Sequence, residues 1–151
     1  HETCGDTVYI NSMEITSIPL SHPNQGVGYK FQEDGKSFVF LTDNELTHKH
    51  YGGLRFEDYR RFSANADLLI HDAEFDEVDY KKKKAWGHSA YKDALRLALD
   101  AGVKKLGLYH HNQERSDAEV DTFVKDCRKI IREQHRSLEC FAVPQDMEII
   151  L

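Results

Sequence analysis

Polar and apolar residues alternate along 7–10 and again along 14–20, with Asn11-Ser12 between the two stretches. A period of two interrupted by a turn pair predicts a β-hairpin. A second alternating pair, 28–32 and 37–41, flanks Glu33-Asp34-Gly35-Lys36 and predicts another hairpin. These four short strands are expected to be antiparallel. The pattern then changes. Residues 56–64 predict a short amphipathic helix and 67–70 an apolar strand. Within 89–101, Ala94, Leu95, Leu97, Ala98 and Ala101 share one helical face, and Gly102 follows as a C-cap. Residues 105–109 predict a strand. Ser116 or Asp117 then caps a long helix carrying Val120, Phe123, Val124, Cys127, Ile130 and Ile131 at helical spacing. Residues 138–143 and 147–151 are expected to close as two short strands.

A β-rich first third followed by β/α alternation predicts an α/β chain, α+β by strand order. Its expected architecture is one mixed sheet with helices on one face. No internal repeat, low-complexity linker or second domain is visible. Val39, Leu41, Leu68 and Ile70 leave little polar surface in the middle strands, so the other face is expected to be covered by something outside this chain.

Length and composition narrow this only slightly. The 151 residues suffice for one domain with a core. Hydrophobic content of 40% and charged content of 30% are ordinary for a globular chain. No apolar run approaches the roughly 20 residues of a membrane span, which argues against a membrane protein. A net charge of −6 and a pI near 5.8 argue against a broad nucleic-acid surface. The four lysines at 81–84 are read as a solvated face, because Asp76, Glu77 and Asp79 stand beside them. Cys4, Cys127 and Cys140 form no CxxC pair and are read as reduced, buried thiols of a cytoplasmic protein.

The candidate chemistry lies where predicted strands end. His22 stands in Leu20-Ser-His-Pro-Asn, Asp43 in Phe40-Leu-Thr-Asp-Asn-Glu, and His71 and Asp72 in Leu68-Leu-Ile-His-Asp-Ala-Glu. His88 stands in Trp86-Gly-His-Ser, and His110 and His111 in Leu106-Gly-Leu-Tyr-His-His-Asn. Imidazoles and carboxylates gathered at one sheet edge suit a hard or borderline metal. Strand ends are also where α/β folds build their sites. Singly, each residue has a plainer explanation: His22 ends an exposed strand, Asp43 caps a turn, His88 precedes a helix, and His71 is a buried hydrogen-bonded histidine. His48-Lys-His50 is read as a flexible polar loop.

As an ordered set, these motifs resemble the metallo-β-lactamase superfamily over roughly residues 6–151. The likeness is greatest to its phosphodiesterase branch, which includes ribonuclease Z and cyclic-phosphate phosphodiesterases. The resemblance implies half of an αββα sandwich, with this chain as the C-terminal half. The His-x-His-x-Asp-His motif of the family's first half does not occur here. By resemblance His22 and His110 would be metal ligands, and Asp43 a carboxylate bridging two ions. His88 would serve near the scissile phosphate, oriented by Asp72. His71, His111, Glu45 and Trp86 would support or wall the pocket.

The implied cofactors are two divalent ions, zinc or manganese, roughly 3.5–4 Å apart. The implied reaction is hydrolysis of a small or cyclic phosphodiester. His110 is not followed by the Ala-Arg-Tyr-like stretch usual in ribonuclease Z, and residues 29–43 lack its long insertion. Both departures, with the acidic pI, favour a small phosphodiester over tRNA and make nucleic acid an unexpected partner. The missing half would come from the same or another chain, and a homo-oligomer stays open. Two other readings also stand: a non-catalytic binding or regulatory module, and ribonuclease Z-like RNA processing.

Overall fold

The computed structural model describes residues 5–151 and shows seven strands and four helices among them. In order they are β1 (Thr7–Ile10), β2 (Met13–Pro19), β3 (Val27–Glu33), β4 (Lys36–Leu41), α1 (Phe56–Phe62), β5 (Leu68–Asp72), α2 (Glu77–Lys82), α3 (Tyr91–Ala101), β6 (Lys105–Tyr109), α4 (Asp117–Glu133) and β7 (Glu139–Ala142). All strands join one sheet in sequence order, antiparallel from β1 to β4 and parallel from β4 to β7. The expected mixed α/β architecture is therefore present.

Local chemistry explains the joints. β3 and β4 are joined by Asp34 and Gly35 alone, with φ of 49° and 74°. Two left-handed residues make the turn whose twist matches antiparallel strands. Gly102 ends α3 at φ 69°, as its position predicted. Ser116 caps α4 in a reciprocal box with Glu119. The predicted strand over 147–151 does not form. Asp146 turns at φ 61°, and the tail instead crosses back to Lys105, whose Nζ approaches Ile150 O at 3.5 Å.

The two faces of the sheet differ. Val39, Leu41, Leu69, Leu106, Leu108 and Cys140 turn towards α1, α3 and α4 and share one core with Leu97, Ala98, Phe123 and Ile131. Each fully buried aliphatic side chain there contributes about 1.5–3 kcal/mol. α2 buries no residue. The opposite face carries Phe31, Phe38, Phe40, Leu68 and Ile70, since Phe38 pairs with Leu68 and Phe40 with Ile70. Val39 and Leu41, expected there from their apolar character alone, belong to the helix side. Four aromatic contacts, with centroids 5.5–6.2 Å apart, run from Tyr29 through Phe31, Phe38 and Phe40 to Tyr109 across the helix-free face.

Two thiols, Cys127 and Cys140, are buried and free, as expected; Cys4 lies outside the described residues. Their mutual contact and burial push the Cys127 thiol up. Among the described residues, no helix is long and apolar enough to cross a membrane.

Candidate metal centre

β4, β5 and β6 run parallel, so their C-terminal ends share one edge. Asp43 follows β4 at φ 59° and His110 follows β6 at φ 52°. Left-handed backbone is costly for residues with a Cβ and is retained where surrounding structure enforces it. Here it turns both side chains inward, and His110 Nε2 reaches Asp43 Oδ1 at 3.3 Å. His71 and Asp72 lie within β5 as its last two residues, not beyond it, because they pair in register with Leu108 and Tyr109.

Asp72 is wholly buried. Its Oδ2 accepts from His88 Nδ1 at 2.6 Å, and its Oδ1 from Ser89 N at 3.0 Å. Burial works to lower the pKa of His88. The hydrogen bond to Asp72 and the charges of Asp72, Glu74 and Asp43 outweigh it and hold that pKa above 6.5. The Nε2 atom of His88 faces Glu74 Oε2 at 3.4 Å, and the same oxygen lies 3.7 Å from His110 Nδ1. The His88 and His110 rings stack with centroids 4.7 Å apart, and His22 meets His88 edge-on at 5.4 Å. Burial and the nearby His88 hold His22 below its ordinary pKa, so it is a neutral lone-pair donor near pH 7.

Gly87 permits this approach. A Cβ on Gly87 would stand 2.7 Å from His22 Nε2 and 2.6 Å from Pro23 Cδ, and its φ is 104°. Ligand-type atoms of His22, Asp43 and His88 lie within 4.8 Å of one another, as do those of Asp72, His88 and His110. Mixed imidazole and carboxylate donors at this spacing suit zinc or manganese.

The supporting residues fall into three groups. Glu45 is buried and accepts from Tyr80 Oη (2.6 Å), Ala85 N (2.8 Å), Gly87 N (2.9 Å) and His50 Nε2 (2.8 Å). Burial opposes its ionisation, but these four bonds outweigh burial and hold its pKa below 4.5. It therefore fixes the turn that carries Gly87 and His88. His71 is buried with Nδ1 on Asp72 O at 2.7 Å and Nε2 on Asn44 Nδ2 at 3.2 Å, so it braces the Asp43 turn through Asn44. Burial lowers its pKa. His111 points elsewhere, into a cleft beside Arg115 and Phe141, where both ring nitrogens lack a hydrogen-bond partner.

Trp86, expected to support or wall the pocket, is 61% exposed, and Lys83 Nζ lies over its ring at 5.7 Å. One expectation needs correction. The loop with His48 and His50 is not free, because Ser21 Oγ donates to His48 O and accepts from His50 N while Glu45 holds the His50 ring. Sequence reasoning missed Glu74 and Asn44. Glu74 ends the quoted stretch Leu68-Leu-Ile-His-Asp-Ala-Glu but was given no role; Asn112 Nδ2 ties it at 3.1 Å. Asn44 Oδ1 accepts from Ser21 N at 2.9 Å, joining the His22 and Asp43 turns.

Comparison with known proteins bears on this arrangement. Residues 3–111 match the family described as the beta-lactamase superfamily domain. Ribonuclease Z of Picrophilus torridus is 31% identical over 118 residues, 77% of this chain and 35% of that protein. In structure, the metallo-beta-lactamase fold protein YhfI from Bacillus subtilis superposes with a TM-score of 0.74 at 19% identity, covering 97% of this chain and 52% of that one. The short form of human tRNase Z gives 0.64 at 22% identity, over 93% of this chain and 44% of that one. The chain thus spans about a third of the curated relative and about half of the solved ones.

Proposed function

This chain belongs to the beta-lactamase superfamily, and from that premise we propose that it forms the C-terminal half of a metal-dependent phosphodiesterase. The observation that carries the proposal is the meeting of Asp43 and His110, each on a left-handed turn at a strand end, beside His22 and the Asp72–His88 pair. In this reading His22, Asp43 and His110 would hold the ions. The remaining ligands come from a segment outside these 151 residues, seated on the helix-free face. Divalent ions bound there, zinc or manganese, would supply the charge that lowers the pKa of a water and offsets that of a phosphoryl oxygen.

The chain's own contribution is positional. Asp72 holds Nδ1 of His88, which leaves Nε2 facing the site as the proton donor to a leaving oxygen. Glu74 stands at that Nε2 and keeps it oriented. Asn44, His71 and Glu45 hold the two turns in register.

The substrate is a phosphodiester. The acidic pI favours a small or cyclic one. The likeness to ribonuclease Z favours an RNA phosphodiester as the second reading. The test is hydrolysis of bis(p-nitrophenyl) phosphate by the protein containing both halves, with added Mn²⁺ or Zn²⁺. Metal-dependent turnover is expected, with this chain alone a poor catalyst. Absence of turnover with either metal, together with absence of metal binding, would favour the non-catalytic module.

A further inference from the structure

We propose that Trp86 and the lysines at 81–84 form a rim that binds a single-stranded polynucleotide, one base stacking on the Trp86 indole. The inference rests on the phosphodiesterase reading and, within it, takes the second substrate, an RNA phosphodiester, over a small or cyclic one. The lysines were read as a solvated face beside Asp76, Glu77 and Asp79, and those carboxylates are engaged with other groups. Asp76 caps α2 through Val78 N and Asp79 N, Asp79 pairs with Arg115 at 2.8 Å, and Glu77 pairs with Lys92 at 2.7 Å. Among the described residues no carboxylate pairs with Lys81, Lys82 or Lys84, and all three are exposed. Lys83 lies over the rings of both Phe75 (5.0 Å) and Trp86 (5.7 Å).

The indole is displayed on fixed backbone. Trp86 N donates to Lys83 O at 3.2 Å, and the amides on either side, Ala85 N and Gly87 N, are held by Glu45. A large exposed aromatic on a rigid turn loses little entropy when it stacks. One residue, Gly87, separates it from His88, at most about 7 Å of chain between their Cα atoms, so a base on Trp86 brings a neighbouring phosphodiester towards the site. Clustered ammonium groups beside an aromatic platform are the elements of single-strand recognition. The net charge of −6 describes the whole molecule, whereas this rim is locally basic.

Trp86 is the only tryptophan of the chain, so its emission reports on this rim. Titration with an eight-residue oligouridylate should quench that emission. Anisotropy of the same labelled oligonucleotide should show Trp86→Ala binding roughly tenfold more weakly, with Trp86→Phe largely retaining affinity. The combined Lys81→Ala, Lys82→Ala and Lys84→Ala variant should lower the slope of log K against log salt by about 2. All substituted side chains are exposed, so the fold should persist. Absence of quenching, equal affinity across the variants, or uridine monophosphate binding as tightly as the oligonucleotide would overturn the proposal. Turnover of bis(p-nitrophenyl) phosphate by the protein with both halves tests the underlying reading separately.

Discussion

Two histidine–carboxylate pairs share one sheet edge and differ in nearly every physical respect. In the Asp72–His88 pair the carboxylate side chain is 0% exposed, the contact is 2.6 Å and every carboxylate oxygen has a donor. In the Asp43–His110 pair the side chains are 47% and 37% exposed and the closest approach is 3.3 Å. A buried ion pair persists only when its hydrogen bonds are complete, and the first pair meets that condition. The second sits on strained turns with ligand atoms turned into the site. The first pair has the makings of a proton-handling unit complete within the chain. The second has the geometry of ligands. On the proposed reading this contrast separates chemistry from metal holding.

The largest effect expected from breaking the contrast is on the exposed pair. Asp43→Ala, in the protein with both halves, should reduce metal content and activity together to background. Metal analysis beside turnover of one phosphodiester checks this, and a variant that kept its metal would remove Asp43 from the ligand set. Next in size is Asp72→Asn. Replacing the buried acceptor with an amide should slow turnover by about 10–100-fold with metal retained. It should also shift the His88 imidazole resonance towards a lower pKa by NMR, since Asp72 is what overrides burial.

Smaller effects should fall on the turn that positions His88. Glu45→Gln leaves one acceptor oxygen where four donors converge and should cost about 2 kcal/mol of stability. The sign with pH follows from its lowered pKa. Its contribution is complete above the ordinary value near 4.5 and is lost as pH falls through the depressed native value. Urea midpoints should therefore fall more steeply with acid in the native protein than in Glu45→Gln. Equal slopes would show that Glu45 is not the acid-sensitive group. In the same range, Gly87→Ala should cost about 1–3 kcal/mol, through its φ of 104° and the crowding of His22. An unchanged thermal midpoint would show that the turn relaxes freely.

Much of this was legible in the sequence because it follows from local periodicity. Alternation placed β1 to β4, and helical spacing placed α3 and α4. Polar residues ending apolar runs marked His22, Asp43 and His110, and the motif Trp86-Gly-His-Ser marked His88; the structure gathers all four at one edge. What was not legible depends on contacts between distant segments. Glu74 looks like any acidic residue past a strand until His88 and His110 are brought beside it, 14 and 36 positions away. Asn44 follows Asp43 in the quoted motif, but its role appears only when Ser21 and His71 flank it. Val39 and Leu41 were set on the wrong face because apolar character does not tell inside from outside when both faces are apolar. The supposed strand at 147–151 had an apolar run but no partner to pair with.

The central claim is that His88 handles protons while Asp43 holds metal. The most direct test is His88→Ala in the protein with both halves, with bound metal and turnover measured on the same sample. The account predicts near-native metal content with turnover slowed about 10²–10⁴-fold. Loss of metal as complete as in Asp43→Ala would make His88 a ligand and contradict the division of roles.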